Sequence, residues 1–439
     1  MLQVLLFLWL ACAGALLQHD TLFISFRGSE GVLGAYNAQQ CFQLISAGCT
    51  KSAFVSIDFD STTDLVYAAT ASNIYSFAYP LSSSTAATSN CGRELLTADA
   101  GRKIAVARAQ GQRLYYSDVR SGSTGNGLYT AIAASSPVTP TLFMADGADG
   151  VVGSRESMTL SGGTVYYGFT GVNPTSKAAI NGVAAASLKT DTSSAAFDSA
   201  IFTYGSNQPW FPVDMDSNGT SANPQLWWSE FRADSNSSAM QLSSAAGKSC
   251  CTYLGGMQGA SPSNTGSLAV DKLPREVPDG VVWATSDTDS IIGAFNAKKR
   301  GSVPQYHAWL DLAAISKSYG FVSDLTFVNG PSSGCAIPYL SLPGVATSPA
   351  LPLTCSPSST YACGALAPQA STNGQGGGGG QSGNNNNGLR LGLGLGLGLG
   401  LGLFLVSFLL WCCCCRRAPQ PAKSVTTLRS EAQATGTAV

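Results

Sequence analysis

Between Thr21 and Gly330 the chain repeats itself, and the repeat is made of strands. Short runs rich in aromatic and β-branched residues recur roughly every 45 to 60 residues. They are Leu22–Ser25 (LFIS), Leu65–Ala68 (LVYA), Leu114–Asp118 (LYYSD), Val165–Phe169 (VYYGF), Leu226–Glu230 (LWWSE) and Val281–Thr285 (VVWAT). A matching set of leading runs comprises Phe54–Asp60, Lys103–Ala109, Met158–Ser161, Phe211–Asp216, Leu268–Leu273 and Phe321–Val328. The first follower, at Leu22, has no leader before it, and the last leader, at Phe321, has no follower. Each supplies what the other lacks, so the two ends of the array should meet in one sheet.

Third strands are expected at Val32–Gln39 (VLGAYNAQ) and Ile291–Lys298 (IIGAFNAK), which are nearly the same text. Weaker outer strands are expected at Cys41–Ile45, Thr141–Met144, Ile201–Tyr204, Cys251–Leu254 and His307–Leu312. Four strands per unit and six units predict an all-β fold, a six-bladed β-propeller over residues 21–330 closed by its N- and C-terminal strands. The pairs Tyr115-Tyr116, Tyr166-Tyr167 and Trp227-Trp228 break polar alternation. This suits strands covered on both faces by neighbouring sheets, so these aromatics read as core and not as a ladder for sugars or bases.

The units resemble the YWTD (LDL-receptor class B) repeat, in which an inner-strand aspartate precedes a Y-W-T-D-like second strand; NHL propellers are similar in layout. The residues that carry the resemblance are Val106 with LYYSD, Val213-Asp214 with LWWSE and Val270-Asp271 with VVWAT. No unit spells a complete YWTD, and Ala107 and Thr159 replace the inner aspartate in two units. The resemblance implies the fold, and it implies a structural role for the inner aspartates, which in that family satisfy backbone donors between blades. A second reading is open. Leading strands line a central channel, where Asp58, Asp214 and Asp271, with Glu156 and Asp324 one or two residues off, can present oxygens to Ca²⁺, as in propeller enzymes that hydrolyse esters or lactones.

Catalytic signals are sparse. The chain has two histidines and no GxSxG, HExxH or P-loop spacing. Charged residues make up 11% of it and the net charge is -1, which gives no electrostatic footprint for nucleic acid.

Leu391–Trp411 is an uncharged run of alternating Leu and Gly followed by larger apolar residues, long enough for a transmembrane helix. Arg416, Arg417, Lys423 and Arg429 follow it, placing residues 412–439 in the cytoplasm. Leu2–Leu10 and the small residues after it read as a signal peptide over residues 1–15. Residues 331–390, rich in Cys, Pro, Gly and Asn, read as a disordered stalk. The expected location is the plasma membrane or another secretory-pathway membrane, type I, with the N-terminus outside.

In that compartment Cys41, Cys49, Cys91, Cys250, Cys251, Cys335, Cys355 and Cys363 are disulfide candidates. Eight cysteines allow 105 pairings; sequence proximity pairs Cys41 with Cys49 and Cys355 with Cys363. Asn218 and Asn236 head N-glycosylation sequons. Cys412, Cys413, Cys414 and Cys415 beside basic residues are candidate S-acylation sites, and the Thr437-Ala438-Val439 end has the form that PDZ domains capture. The functional expectation is a cell-surface glycoprotein whose propeller ectodomain serves ligand binding, adhesion or receptor function, with an extracellular protein or glycan as ligand. The alternative is a membrane-tethered, Ca²⁺-dependent esterase- or lactonase-like hydrolase.

Overall fold

A computed structural model describes residues 19–79, 87–120, 126–135, 137–188, 195–204, 210–217, 224–232, 237–244, 252–255, 265–271, 280–286, 290–297, 306–330, 337, 351 and 353–354. The fold is an all-β propeller, and the described strands form six four-stranded antiparallel sheets. Five are built from consecutive strands. From the inner strand outward, sheet B is Phe54–Asp60, Leu65–Thr70, Asn73–Ala78 and Arg93–Thr97, and sheet C is Arg102–Gln110, Arg113–Arg120, Gly127–Ile132 and Thr141–Ala145. Sheet D is Val152–Ser161, Thr164–Val172, Ala179–Leu188 and Ala195–Thr203. Sheet E is Trp210–Ser217, Gln225–Arg232, Ser237–Ser244 and Thr252–Gly255, and sheet F is Thr265–Asp271, Val281–Ser286, Ile291–Asn296 and Tyr306–Asp311.

Sheet A is composite. Its inner strand, Val322–Val328, comes from the far end of the array and pairs with Thr21–Phe26, in the register Leu22 with Phe327 and Ile24 with Leu325. Val32–Asn37 and Cys41–Ser46 complete it. The first two strands of the chain are buried along their whole length. This is why LFIS and VLGAY need no polar alternation: a strand between two strands, in a sheet between two sheets, has no wet face.

The apolar cores lie between successive sheets. Tyr67, Ala69 and Ile74 of sheet B meet Ile104, Leu114 and Tyr116 of sheet C. Leu22 and Ile24 of sheet A meet Trp283 and Leu310 of sheet F. All three aromatic pairs are buried, and Trp228 and Trp283 are wholly so. Their polar atoms are placed: Trp227 Nε1 donates to the Ala297 carbonyl of sheet F at 3.0 Å, and Trp228 Nε1 donates to the Tyr204 hydroxyl at 3.1 Å.

The packed body continues beyond Gly330, where composition alone placed the start of the stalk. Ile337 and Leu351 are buried in the core between sheets F and A. The Leu351 N–H donates to the Trp309 carbonyl at 2.8 Å, and the Phe42 N–H donates to the Leu353 carbonyl at 3.1 Å. A few apolar residues among Pro and Ser thus lie across the outer strands at the seam. Among the described residues no helix is long and apolar enough to cross a membrane. The Leu391–Trp411 run and the Leu2–Leu10 run both lie outside the described residues.

Candidate functional site

Each inner strand is the edge of its sheet, so alternate N–H groups face the axis with no strand to receive them. Aspartates meet that need. Asp58 Oδ1 accepts from the Phe59 N–H at 2.9 Å, and its Oδ2 accepts from the Ala109 N–H of sheet C at 2.8 Å. Asp214 does the same with Met215 and, at 2.9 Å, with Leu268 of sheet F. Asp216 accepts from Ser217 and from Val270, and Asp324 from Leu325 and from Ile57 of sheet B at 2.7 Å. One carboxylate serves its own strand with one oxygen and the next sheet with the other. Two serines play the same part: Ser56 Oγ accepts from the Ala107 N–H, and Ser267 Oγ accepts from the Leu325 N–H.

Arg108, on the inner strand of sheet C, is buried where these strands converge. Its Nε donates to the Met158 carbonyl of sheet D at 3.0 Å. Nη1 donates to Asp324 Oδ2 at 3.0 Å and to Ser56 Oγ at 2.7 Å, and Nη2 donates to Asp214 Oδ1 at 3.0 Å. One guanidinium thereby ties its own strand to the inner strands of sheets A, B, D and E. Burial works to lower its pKa, but the carboxylates of Asp324, Asp214 and Asp58 outweigh that and hold it above its ordinary value. Asp214 moves the other way from a normal carboxyl. Burial, and then the charge of Asp324, push it up to about 8 in spite of Arg108.

Beside Arg108 a polar cavity of about 420 Å³ opens on the axis, lined by all six inner strands. Asp58, Asp60, Gln110, Thr159, Asp216 and Thr326 give it its polar wall. Burial works to raise the pKa of Asp60, yet hydrogen bonds from the Thr62 hydroxyl and from the Gln112, Thr62 and Gly111 N–H groups bring it below the ordinary value.

Asp58, Asp214 and Asp271, the expected calcium ligands, have separate partners. Among the described residues no group of three or more His, Cys, Asp or Glu side chains is arranged to hold a metal ion. Asp58 and Asp214 face the axis as expected, but Asp58 is directed at backbone N–H groups and at the Thr326 hydroxyl. Asp214 is held by Arg108, and Asp271 Oδ1 accepts from Asn329 Nδ2 at 2.7 Å. Asp324 takes the place next to Asp214, and Glu156 is exposed. A cation does sit among these carboxylates, but it is the chain's own guanidinium. Sequence reasoning missed Arg108; the signal was a charged residue two positions after Val106 on a leading strand, hence on the same face.

The local pairing of Cys41 with Cys49 is corrected as well. Cys49 is bonded to Cys91, 42 residues away, joining the end of sheet A to the last connection of sheet B. Cys41 is also disulfide-bonded. Cys250, Cys251, Cys335, Cys355, Cys363 and Cys412 to Cys415 lie outside the described residues, as do Asn218, Asn236, Thr437 and Val439.

No family model matches the chain. Comparison with curated proteins finds no match. Among solved structures, the chain is similar to hydrazine synthase of Kuenenia stuttgartiensis, at 9% identity over 63% of this chain and 76% of that one, with a TM-score of 0.41. It is also similar to the WD40 β-propeller domain of Doa1, at 9% identity over 66% and 80% with a TM-score of 0.39. The Cps50 (Swd1) β-propeller domain of Myceliophteria thermophila is similar at 8% identity over 65% and 85%, with a TM-score of 0.37. These likenesses carry nothing about function.

Proposed function

We propose that this chain is a type I single-pass cell-surface protein whose propeller, with all six sheets as blades of one YWTD-like ring, binds an extracellular protein or glycan. The observation that carries the reading is the state of the axis. Asp58, Asp214, Asp216 and Asp324 accept backbone N–H groups across sheet junctions, and Arg108 pairs with Asp214 and Asp324. Asp58, Asp216 and Asp324 are each already engaged by backbone N–H groups of two strands, which favours a structural role for them and recognition over hydrolysis. The uncharged Leu391–Trp411 run with basic residues after it supports one span, and Cys412 to Cys415 would be acylated at its inner end.

Two measurements test this. In secretory cells, an N-terminal epitope tag should be reachable from outside and a C-terminal tag only after permeabilisation; the reverse, or release of both to the medium, sinks the topology. A melting curve of the full chain in detergent should not move when calcium replaces chelator. A bound ion at a hundredfold excess over its dissociation constant stabilises by about 2.7 kcal/mol, and such a shift would favour the calcium-dependent hydrolase instead.

A further inference from the structure

Ser267 Oγ lies 2.5 Å from Asp214 Oδ2 and 2.7 Å from Asp324 Oδ1, and it accepts the Leu325 N–H at 2.9 Å. A serine hydroxyl has one proton to give and two lone pairs to receive. With both carboxyls ionised, it can donate to one of them only, and the other contact sets lone pair against lone pair at hydrogen-bond distance. With one carboxyl protonated the hydroxyl is fully used: it donates to the ionised aspartate and accepts from the acid and from Leu325. We propose that Asp214 keeps its proton at neutral pH and donates it to Ser267, whose own hydroxyl donates to Asp324, making the axis a proton-dependent lock between sheets A, E and F.

Charge balance points the same way. The groups that face the pair are Arg108 from sheet C, the one cation among those described there, and Asp58 from sheet B, which acts on Arg108. Sheet D presents the Met158 carbonyl, and sheet F presents the Ser267 hydroxyl. Asp216, further along the sheet E strand, is turned to Ser217, Thr159 and Val270. Arg108 balances one carboxylate, and a proton kept on Asp214 balances the second without importing an ion. A buried carboxyl beside a second carboxylate is where a proton is retained, and Asp214, pushed up to about 8, is its preferred holder.

The folded chain holds a proton that the unfolded chain has released above the ordinary aspartate value of 3.8. Stability from this group is therefore complete below that value and is lost as pH rises towards about 8, tenfold in the folding equilibrium per pH unit. Above it the proton goes to solvent, and two carboxylates face each other across one serine. The lock is closed in acid and loosened in mild alkali.

The test is a titration of the full chain in detergent, labelled with ¹³C at the aspartate carboxyl carbons and followed by infrared spectroscopy and NMR. One carboxylic-acid signal should persist at neutral pH and disappear with a midpoint near 8. It should be absent in both Asp214→Asn and Asp324→Asn and retained in Asp271→Asn. Wild-type protein in which every aspartate is ionised by mildly acid pH overturns the proposal, whether or not the variants fold. So does a neutral-range signal that survives in both single variants.

Discussion

Replacing Arg108 by methionine should be among the most damaging single changes available on the axis. The side chain is buried and pairs with Asp214 and Asp324, both at 3.0 Å, each of them less than a tenth exposed. Removing one member of a buried ion pair leaves uncompensated charge and costs about 3 to 5 kcal/mol. Here two carboxylates lose the same partner, and Met158 and Ser56 each lose a donor. Against a total stability of about 5 to 15 kcal/mol, that is a large part of the whole. Lysine should recover only part of the loss, since an ammonium has no fork with which to reach two carboxylates on different sheets. The assay is urea unfolding of the full chain in detergent, followed by tryptophan fluorescence. Arg108→Met should lose more at mildly alkaline than at acid pH, because acid lets Asp214 take a proton in place of the lost cation. Combining it with Asp214→Asn should give a coupling of about 1 to 3 kcal/mol. A cost within about 0.5 kcal/mol of wild type, or strict additivity with Asp214→Asn, would refute the picture of Arg108 as the counter-ion of the ring.

Three further outcomes are expected. Cys49→Ala opens a cross-link spanning 42 residues, and chain entropy puts the loss at about 4 kcal/mol; an unchanged urea midpoint would show that the bond contributes nothing. Cys41 should be found joined to Cys355 in non-reduced peptide maps, because the Phe42 N–H to Leu353 carbonyl bond brings the chain two residues short of Cys355 beside Cys41; a peptide joining Cys41 to any other cysteine refutes this register. Trp228→Ala, which empties a wholly buried site between sheets D and E, should cost about 3 to 5 kcal/mol in the same urea assay, and a loss under about 1 kcal/mol would mean that the gap refills.

Much of the strand layout could be read from LFIS, LYYSD, LWWSE and their leaders, because inner and second strands are buried on both faces and must be apolar without alternation. The outer strand of sheet B, Arg93–Thr97, was not legible: RELLT is mostly exposed and its charges hide it. The inner strand of sheet D begins at Val152, six residues before the expected start at Met158, and a register shift between Ser154 and Ser157 interrupts the period that would have revealed it. The site was half legible. Asp58 and Asp214 were placed on the axis by their position in the repeat, but sequence spacing could not show that Asp324 would meet Asp214. Nor could it show that Arg108 would turn inward: an arginine in KIAVARA is as compatible with a wet strand end as with a buried one.

The chemistry of the axis follows from the geometry of the ring. Turning the edge strands of the sheets inward leaves their outer N–H groups without strand partners, and a buried donor left alone costs about 1 to 3 kcal/mol. Aspartate is the short side chain whose two oxygens reach both its own strand and the next, as Asp58, Asp214, Asp216 and Asp324 do. That solution concentrates negative charge on the axis, where Asp214 and Asp324 are buried, and the charge needs an answer within reach. Arg108 supplies it for one carboxylate of the Asp214–Asp324 pair. For the other, the hydroxyl of Ser267, with one proton and two carboxylate neighbours, leaves a retained proton as the remaining means of balance. The aspartates that hold the ring together are therefore the reason it contains a buried arginine, and the arginine's single charge is the reason the ring should respond to pH.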